Sequence, residues 1–262
     1  MKGLEWTFDT VASNYEKFRP GYVIELYEKI FQYISIDGKS RVLEVGIGGG
    51  QATLPILHTG CELTAVEYGE NFSQLCREKF KEYPKFSILT DKFENREYEN
   101  DAYDLVYSAS AFHWVPEEIG YKKVYAMLKK GGAFARFANH PHPDRGNPEM
   151  SDEIQSLYSK YYYPFHNKKP SVPKVYTEED AVIRANIAAK YGFDDIEHAM
   201  YQRIRTFSAK EYITLLGTYS DHIAIEESTR KKFFDEIEKT IERHGGEMNI
   251  YDVIDLQLAR KI

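Results

Sequence analysis

Cysteine is scarce: Cys61 and Cys76 are the only two in 262 residues. One falls at the expected start of a strand and the other inside a helical stretch. Two buried thiols account for them, and metal-ligand spacing is absent. No uninterrupted apolar run approaches the roughly 20 residues that a membrane-crossing helix needs, and Met1-Lys2-Gly3-Leu4-Glu5-Trp6 has no apolar signal core. A soluble, cytoplasmic chain with no membrane partner is expected. No run of Lys and Arg stands out, and 34 basic against 41 acidic residues leave a formal charge of −7. A nucleic-acid binder normally shows a basic face, so DNA or RNA is disfavoured as the main substrate. Internal repeats and low-complexity linkers are missing too, which leaves one large α/β domain or one domain with a cap.

Aromatic side chains are plentiful, at 15% with 21 Tyr and 15 Phe. Such rings pack cores, and their amphipathic edges also line pockets for small organic ligands. The chain is organised around Arg41-Val42-Leu43-Glu44-Val45-Gly46-Ile47-Gly48-Gly49-Gly50. A short apolar run without helical period reads as a buried parallel strand, the glycines as a turn, and Gln51 to His58 as a short helix. That arrangement gathers backbone N–H groups and a positive helix end at one spot. The dinucleotide fingerprint G-x-G-x-x-G/A requires Gly or Ala three residues after the second glycine. Gln51 or Thr53 stands there, depending on the register, so neither fits.

Strands then alternate with helices: 62–67, 86–89, 103–108 and 133–138 as strands, 71–83 and 116–128 as helices. Lys129-Lys130 is placed at the end of the last helix, with Gly131-Gly132 terminating it. This rhythm means βαβ units and a parallel sheet. A helix from about Val23 to Tyr33 precedes it. Asn139-His140-Pro141-His142-Pro143-Asp144 carries two His and an Asp, but prolines hold such a loop extended and no further ligands cluster nearby, so no metal is expected. From Gly146 to about Asp194 the chain is rich in Tyr and reads as a lid emerging at the carboxyl ends of the strands, or else as a packing appendage. A sixth strand covers 196–204. Ser208 with Glu211 forms a capping box for a helix running to His222. A charged helix over 229–244 and a last strand over 250–258 follow.

Glu44, Gly46, Gly48 and Gly50 together resemble E/D-x-G-x-G-x-G, the nucleotide loop of class I S-adenosylmethionine-dependent methyltransferases. F-D-x-x-A-x-x-Y-x-x-x-R-P, from Phe8 to Pro20, resembles the N-terminal arm of many small-molecule members, and implies that Tyr15 and Arg19 reach over the cofactor's methionine end. By the same resemblance Glu67 accepts the ribose hydroxyls and Asp91 the adenine amino group. Tyr68, Lys92 and Phe93 beside those acids, and Ser108 at the end of the fourth strand, join the cofactor set. Phe93 packs either on the adenine or on its own core. The strand Asp104-Leu105-Val106 followed by Ser108 to His113-Trp114 is similar to enzymes acting on small organic acids, the trans-aconitate type among them. N/D-P-P-Y/F, usual where bases or amide side chains are methylated, is replaced by Ser108-Ala109-Ser110-Ala111. His113 reads as a general base or donor, or as a structural residue packed beneath Trp114, itself read as pocket wall. Tyr219 and His222 lie in a T-Y-S-D-H-like stretch that borders the acceptor site in that subgroup.

The resemblance implies a Rossmann-like α/β fold: a seven-stranded mixed sheet, mostly parallel with the last strand antiparallel, helices on both faces and an α-helical, Tyr-rich cap. It is expected as one methyltransferase domain: an arm (1–35), a cofactor-binding core (36–139), a cap (140–195) and the rest of the core sheet (196–262). The cofactor would be S-adenosyl-L-methionine, leaving as S-adenosyl-L-homocysteine. The partner would be a small-molecule methyl acceptor attacking in line through O, N or C, and the protein a monomer or homodimer. A NAD-dependent oxidoreductase, a non-catalytic cofactor-binding protein and an RNA methyltransferase are the competing readings.

Overall fold

The computed structural model describes residues 21–142, 146–170 and 174–262. Seven strands form one sheet: β1 (Arg41–Val45), β2 (Glu62–Glu67), β3 (Phe86–Thr90), β4 (Tyr103–Ala109), β5 (Leu128–His142), β6 (Asp194–Ser208) and β7 (Glu247–Arg260), in the order β3-β2-β1-β4-β5-β7-β6. β1 pairs in parallel with β2 and β4, β2 with β3, and β4 with β5. Gly131 N–H donates to Lys261 O while Lys261 N–H donates to Gly132 O. The start of β5 thus meets the end of β7, so β7 runs antiparallel, as the family resemblance implies. The order reverses between β1 and β4, where open α/β sheets place their ligands.

Helix α1 (Ile24–Tyr33) precedes β1, and α2 (Thr53–Leu57), α3 (Glu70–Lys79) and α4 (Glu117–Met127) connect parallel strands. Several boundaries differ from the sequence expectation. α2 has five residues, too short for a helix-dipole anion site. α4 ends at Met127, and Lys129 to Gly132 already belong to β5, because Gly131 (φ +81°) and Gly132 bond to Lys261 instead of capping the helix. Pro141 leaves the chain extended after Asn139, and β5 simply continues through His142. The helix expected to reach His222 breaks: α7 (Ala209–Leu216) and α8 (Ser220–Ile223) are separate, with Thr218 N–H and its hydroxyl both bonded back to Leu215 O. The Ser208–Glu211 capping box is formed on both sides.

The chain divides into two compact units. The first comprises residues 21–139, 176–201 and 254–262. It holds β1 to β4, α1 to α4 and α6 (Glu178–Ala185), with apolar layers on both sheet faces. Leu26, Ile30, Ile56, Phe80 and Phe137 pack on one face, and Phe93, Phe112, Tyr121, Phe134 and Phe193 on the other. The second comprises residues 140–175 and 202–253, in which α5 (Pro148–Leu157), α7 and α9 (Glu227–Arg243) surround Met150, Tyr162, Leu215, Phe233 and Ile237. The Tyr-rich segment is therefore split. Tyr158–Tyr162 forms a π-helical turn in the second unit, while residues from Tyr176 onward belong to the first.

Candidate functional site

The glycine loop leaves β1 at a point where no side chain fits. Gly46 adopts φ +75° and a Cβ there would lie 2.4 Å from the Cβ of Ala111. At Gly50 (φ +73°) a Cβ would lie 2.6 Å from the Phe80 ring. L-residues disfavour this backbone region, so the alternate glycines are required by backbone shape and by crowding together. Gly46 N–H donates to Val66 O and Gly50 N–H to Ile47 O, while Gly48 N–H donates to Glu67.

Beneath the loop, Glu44 is wholly buried. One carboxylate oxygen accepts from Thr53 Oγ1 (2.8 Å) and Tyr107 OH (2.7 Å). The other, Oε1, has no partner among the described residues. Burial pushes this carboxyl up to about 7, against the pull of the two hydroxyls. Ser108 is also fully buried and donates to Val45 O at 2.7 Å. Both residues hold the loop from below.

The rim is acidic. Glu67, half-buried at the end of β2, accepts from Gly48 N–H and Gly69 N–H, each at 2.9 Å. Its neighbour Tyr68 is exposed, and the Lys92 ammonium lies 4.9 Å from the Tyr68 ring centroid. Asp91 N–H donates to Glu67 O, and its carboxylate accepts from Lys92 N–H. Glu67, Tyr68, Asp91 and Lys92 thus sit together at the adjacent ends of β2 and β3. Phe93 does not join them: its ring is buried against Tyr98 and Phe112.

After β4, Ser110 (φ +53°) shares a hydrogen bond with Tyr22 OH at 2.8 Å, and Ala111 abuts Gly46. His113 and Trp114 follow in a single 3-10 turn, both exposed, with ring centroids 4.9 Å apart. Packing around the His113 ring, then the charges of Arg184 and Arg136, holds its pKa below the ordinary histidine value. A neutral imidazole at neutral pH is available to accept a proton.

Tyr219 and His222 lie in the second unit. His222 is buried, with Nδ1 2.8 Å from Asp221 Oδ1 and Nε2 2.9 Å from Tyr158 OH. Burial opposes the charge of Asp221, but the His222 bonds and the Tyr162 hydroxyl hold its carboxyl well below the usual range. The Tyr219 ring tilts over His222 at 5.5 Å. Tyr15 and Arg19 lie outside the described residues.

Sequence reasoning did not single out Arg136, Arg184 or Asp255. Arg136 stands within the apolar run Ala133–Ala138 and Asp255 within an apolar last strand, and a charge in such a run was the available signal. The described residues hold no group of His, Cys, Asp and Glu suited to a metal, and no helix long and apolar enough to cross a membrane.

Residues 42–132 match the family of the methyltransferase domain. An uncharacterised methyltransferase-like protein of Schizosaccharomyces pombe is 27% identical over 241 residues, covering 90% of this chain and 88% of its own. A candidate type II methyltransferase structure from Anaeromyxobacter dehalogenans superposes with a TM-score of 0.65 at 18% identity, over 94% of this chain and 99% of that one. The Haemonchus contortus phosphoethanolamine N-methyltransferase 2, solved with phosphomonomethylethanolamine and S-adenosylhomocysteine, gives a TM-score of 0.55 at 15% identity, over 97% of this chain and 57% of that one.

Proposed function

We propose that this chain, whose residues 42–132 match the methyltransferase-domain model, is a class I S-adenosylmethionine-dependent methyltransferase that methylates a small-molecule acceptor by in-line displacement. The observation that carries this reading is the Glu67 carboxylate drawn to 2.9 Å from the Gly48 N–H at the mouth of a loop that excludes side chains. When bound, the cofactor supplies an electrophilic methyl on a sulfonium. This chain binds and orients it: Glu67 offers acceptors to the ribose, Asp91 to the adenine amino group, and Tyr68 and Lys92 border the ring. Glu44, Gly46, Gly48, Gly50 and Ser108 keep the loop open. Tyr15 and Arg19 take the methionine end, as their pattern implies. His113, held neutral, accepts a proton from the acceptor where the acceptor carries one, with Trp114 as a wall. Alignment supplies most of the rate, since effective molarities of well-oriented pairs reach about 10⁵ M or more.

The buried thiols of Cys61 and Cys76, neither in a disulfide, support a reducing, cytoplasmic setting, with the enzyme acting as a monomer or homodimer. Formation of S-adenosylhomocysteine from S-adenosylmethionine is the test. It is measured with the protein and either the small-molecule filtrate of a cell extract or its RNA and protein fractions. Product with the filtrate alone is expected, and product with the RNA or protein fraction alone overturns the small-molecule reading.

A further inference from the structure

Three side chains at the carboxyl end of α3 lie against three consecutive glycines of the loop after β1, all within the first unit. Cys76 S–H donates to Gly48 O at 3.1 Å, and Lys79 Nζ donates to Gly49 O at 2.9 Å. The Phe80 ring occupies the space that a Cβ on Gly50 would need, 2.6 Å away. Residues three and four apart share one helix face, so this face of α3 forms a seat for the loop. Gly48 is held on both sides, because its N–H donates to Glu67 at 2.9 Å. Gly49 and Gly50 are buried, as are Cys76 and Phe80, whereas Lys79 is exposed and reaches back with its ammonium 5.4 Å from the Phe80 ring centroid.

The three contacts differ in kind. A ring only limits how close the loop can come, and a thiol is a weak donor. The ammonium brings a full charge to a backbone carbonyl, and charge-assisted hydrogen bonds are roughly twice as strong as neutral ones. Glycine gives up more conformational freedom on ordering than any other residue, so a loop with four glycines in five positions keeps one shape only where its neighbours hold it. A ligand's apparent affinity falls in proportion to the fraction of protein in the binding shape.

We infer that Lys79 is a positioning residue for the cofactor: by clamping the Gly49 carbonyl from α3, it keeps the glycine loop in the shape that receives S-adenosylmethionine. This deepens the proposed function and rests on it. The loop is thereby tied to the same β2–α3 segment that carries Glu67, so the bed of the cofactor and its ribose acceptor move as one piece.

The test is calorimetric titration of the full chain with S-adenosylhomocysteine, paired with iodoacetamide labelling of the ligand-free protein and mass-spectrometric readout of Cys61 and Cys76. Lys79→Met keeps the aliphatic stem and removes the donor. It should weaken S-adenosylhomocysteine binding about tenfold, the loss of one charge-assisted hydrogen bond. Cys76 should be alkylated faster while Cys61, bonded to Ile56 O away from α3, keeps its wild-type rate. Lys79→Arg, which keeps a charged donor, should recover part of the affinity. Lys81→Met removes a charge paired with Glu78 just past the same helix end and should leave binding unchanged. Wild-type affinity in Lys79→Met overturns the inference, and so does a loss that Lys81→Met reproduces, because the effect is then one of general charge. A loss of affinity without faster Cys76 labelling, or with both thiols labelled faster and a lower melting temperature, overturns it as well, since Lys79 then does not act through the loop. Failure of wild type to bind S-adenosylhomocysteine is instead a failure of the proposed function, and the Cys76 to Cys61 labelling ratio still decides whether Lys79 holds the loop.

Discussion

Gly46 and Ala111 are in such close approach that a Cβ on Gly46 would lie 2.4 Å from that of Ala111. Two parts of the site separated by more than sixty residues are thereby locked together: the loop after β1 and the loop after β4. The contact passes any displacement of one loop to the other.

Gly46→Ala tests that contact. The φ of +75° and the crowding each act against the substitution, and a strained backbone position costs about 1–3 kcal/mol. A lower melting temperature and loss of S-adenosylhomocysteine binding are expected. Combining it with Ala111→Gly removes the clash but not the strained φ, so calorimetry should show partial recovery.

Glu44 makes stability depend on pH. Burial raises its folded value to about 7, above the ordinary glutamate value near 4.5, so the folded state holds the proton more tightly than the unfolded one. The contribution is favourable at low pH, declines as pH rises from about 4.5 through about 7, and is then constant. Its size is on the order of 3 kcal/mol. Urea unfolding of wild type and Glu44→Gln across that window should show a shallower decline in the variant, whose amide oxygen still accepts from Thr53 and Tyr107.

In the second unit the sign is opposite. Asp221, held below its usual range by His222 and Tyr162 against the cost of burial, stabilises the fold above about pH 4 and loses that contribution as pH falls. Asp221→Ala leaves the buried His222 Nδ1 without its partner. It should cost about 1–3 kcal/mol, read from denaturant unfolding at neutral pH, with the difference from wild type shrinking in acid.

Asp255→Ala strips the carboxylate from Arg184, Tyr176 and Gln257. Removing one partner of a buried ion pair typically costs about 3–5 kcal/mol. Thermal unfolding should show a loss larger than that from any exposed pair, such as Lys122→Ala opposite Glu118, for which little change is expected because solvent screens the pair.

What could be read from the chain alone was what is local. The run 41–45 and the alternate glycines announce a buried strand and a turn because each depends on neighbours in sequence. Glu67 and Asp91 follow from strand ends, which the βαβ rhythm locates. β5 begins at Leu128, earlier than the expected 133, because Gly131-Gly132 reads as a helix stop whereas its bonds go to Lys261, about 130 residues away. The buried pair of Arg184 and Asp255 is illegible for the same reason: its members come from distant segments, and only the fold brings them together. For Phe93 the sequence allows either adenine or core, and in the structure its ring packs in the core against Tyr98 and Phe112.

The most direct measurement is calorimetric titration of wild type and Glu67→Gln with S-adenosylhomocysteine. The account predicts micromolar binding to wild type, weakened in the variant by roughly 1–3 kcal/mol, about fivefold to a hundredfold or more, as a charged acceptor facing Gly48 and the ribose becomes a neutral amide. Wild type that folds normally and does not bind S-adenosylhomocysteine would contradict it.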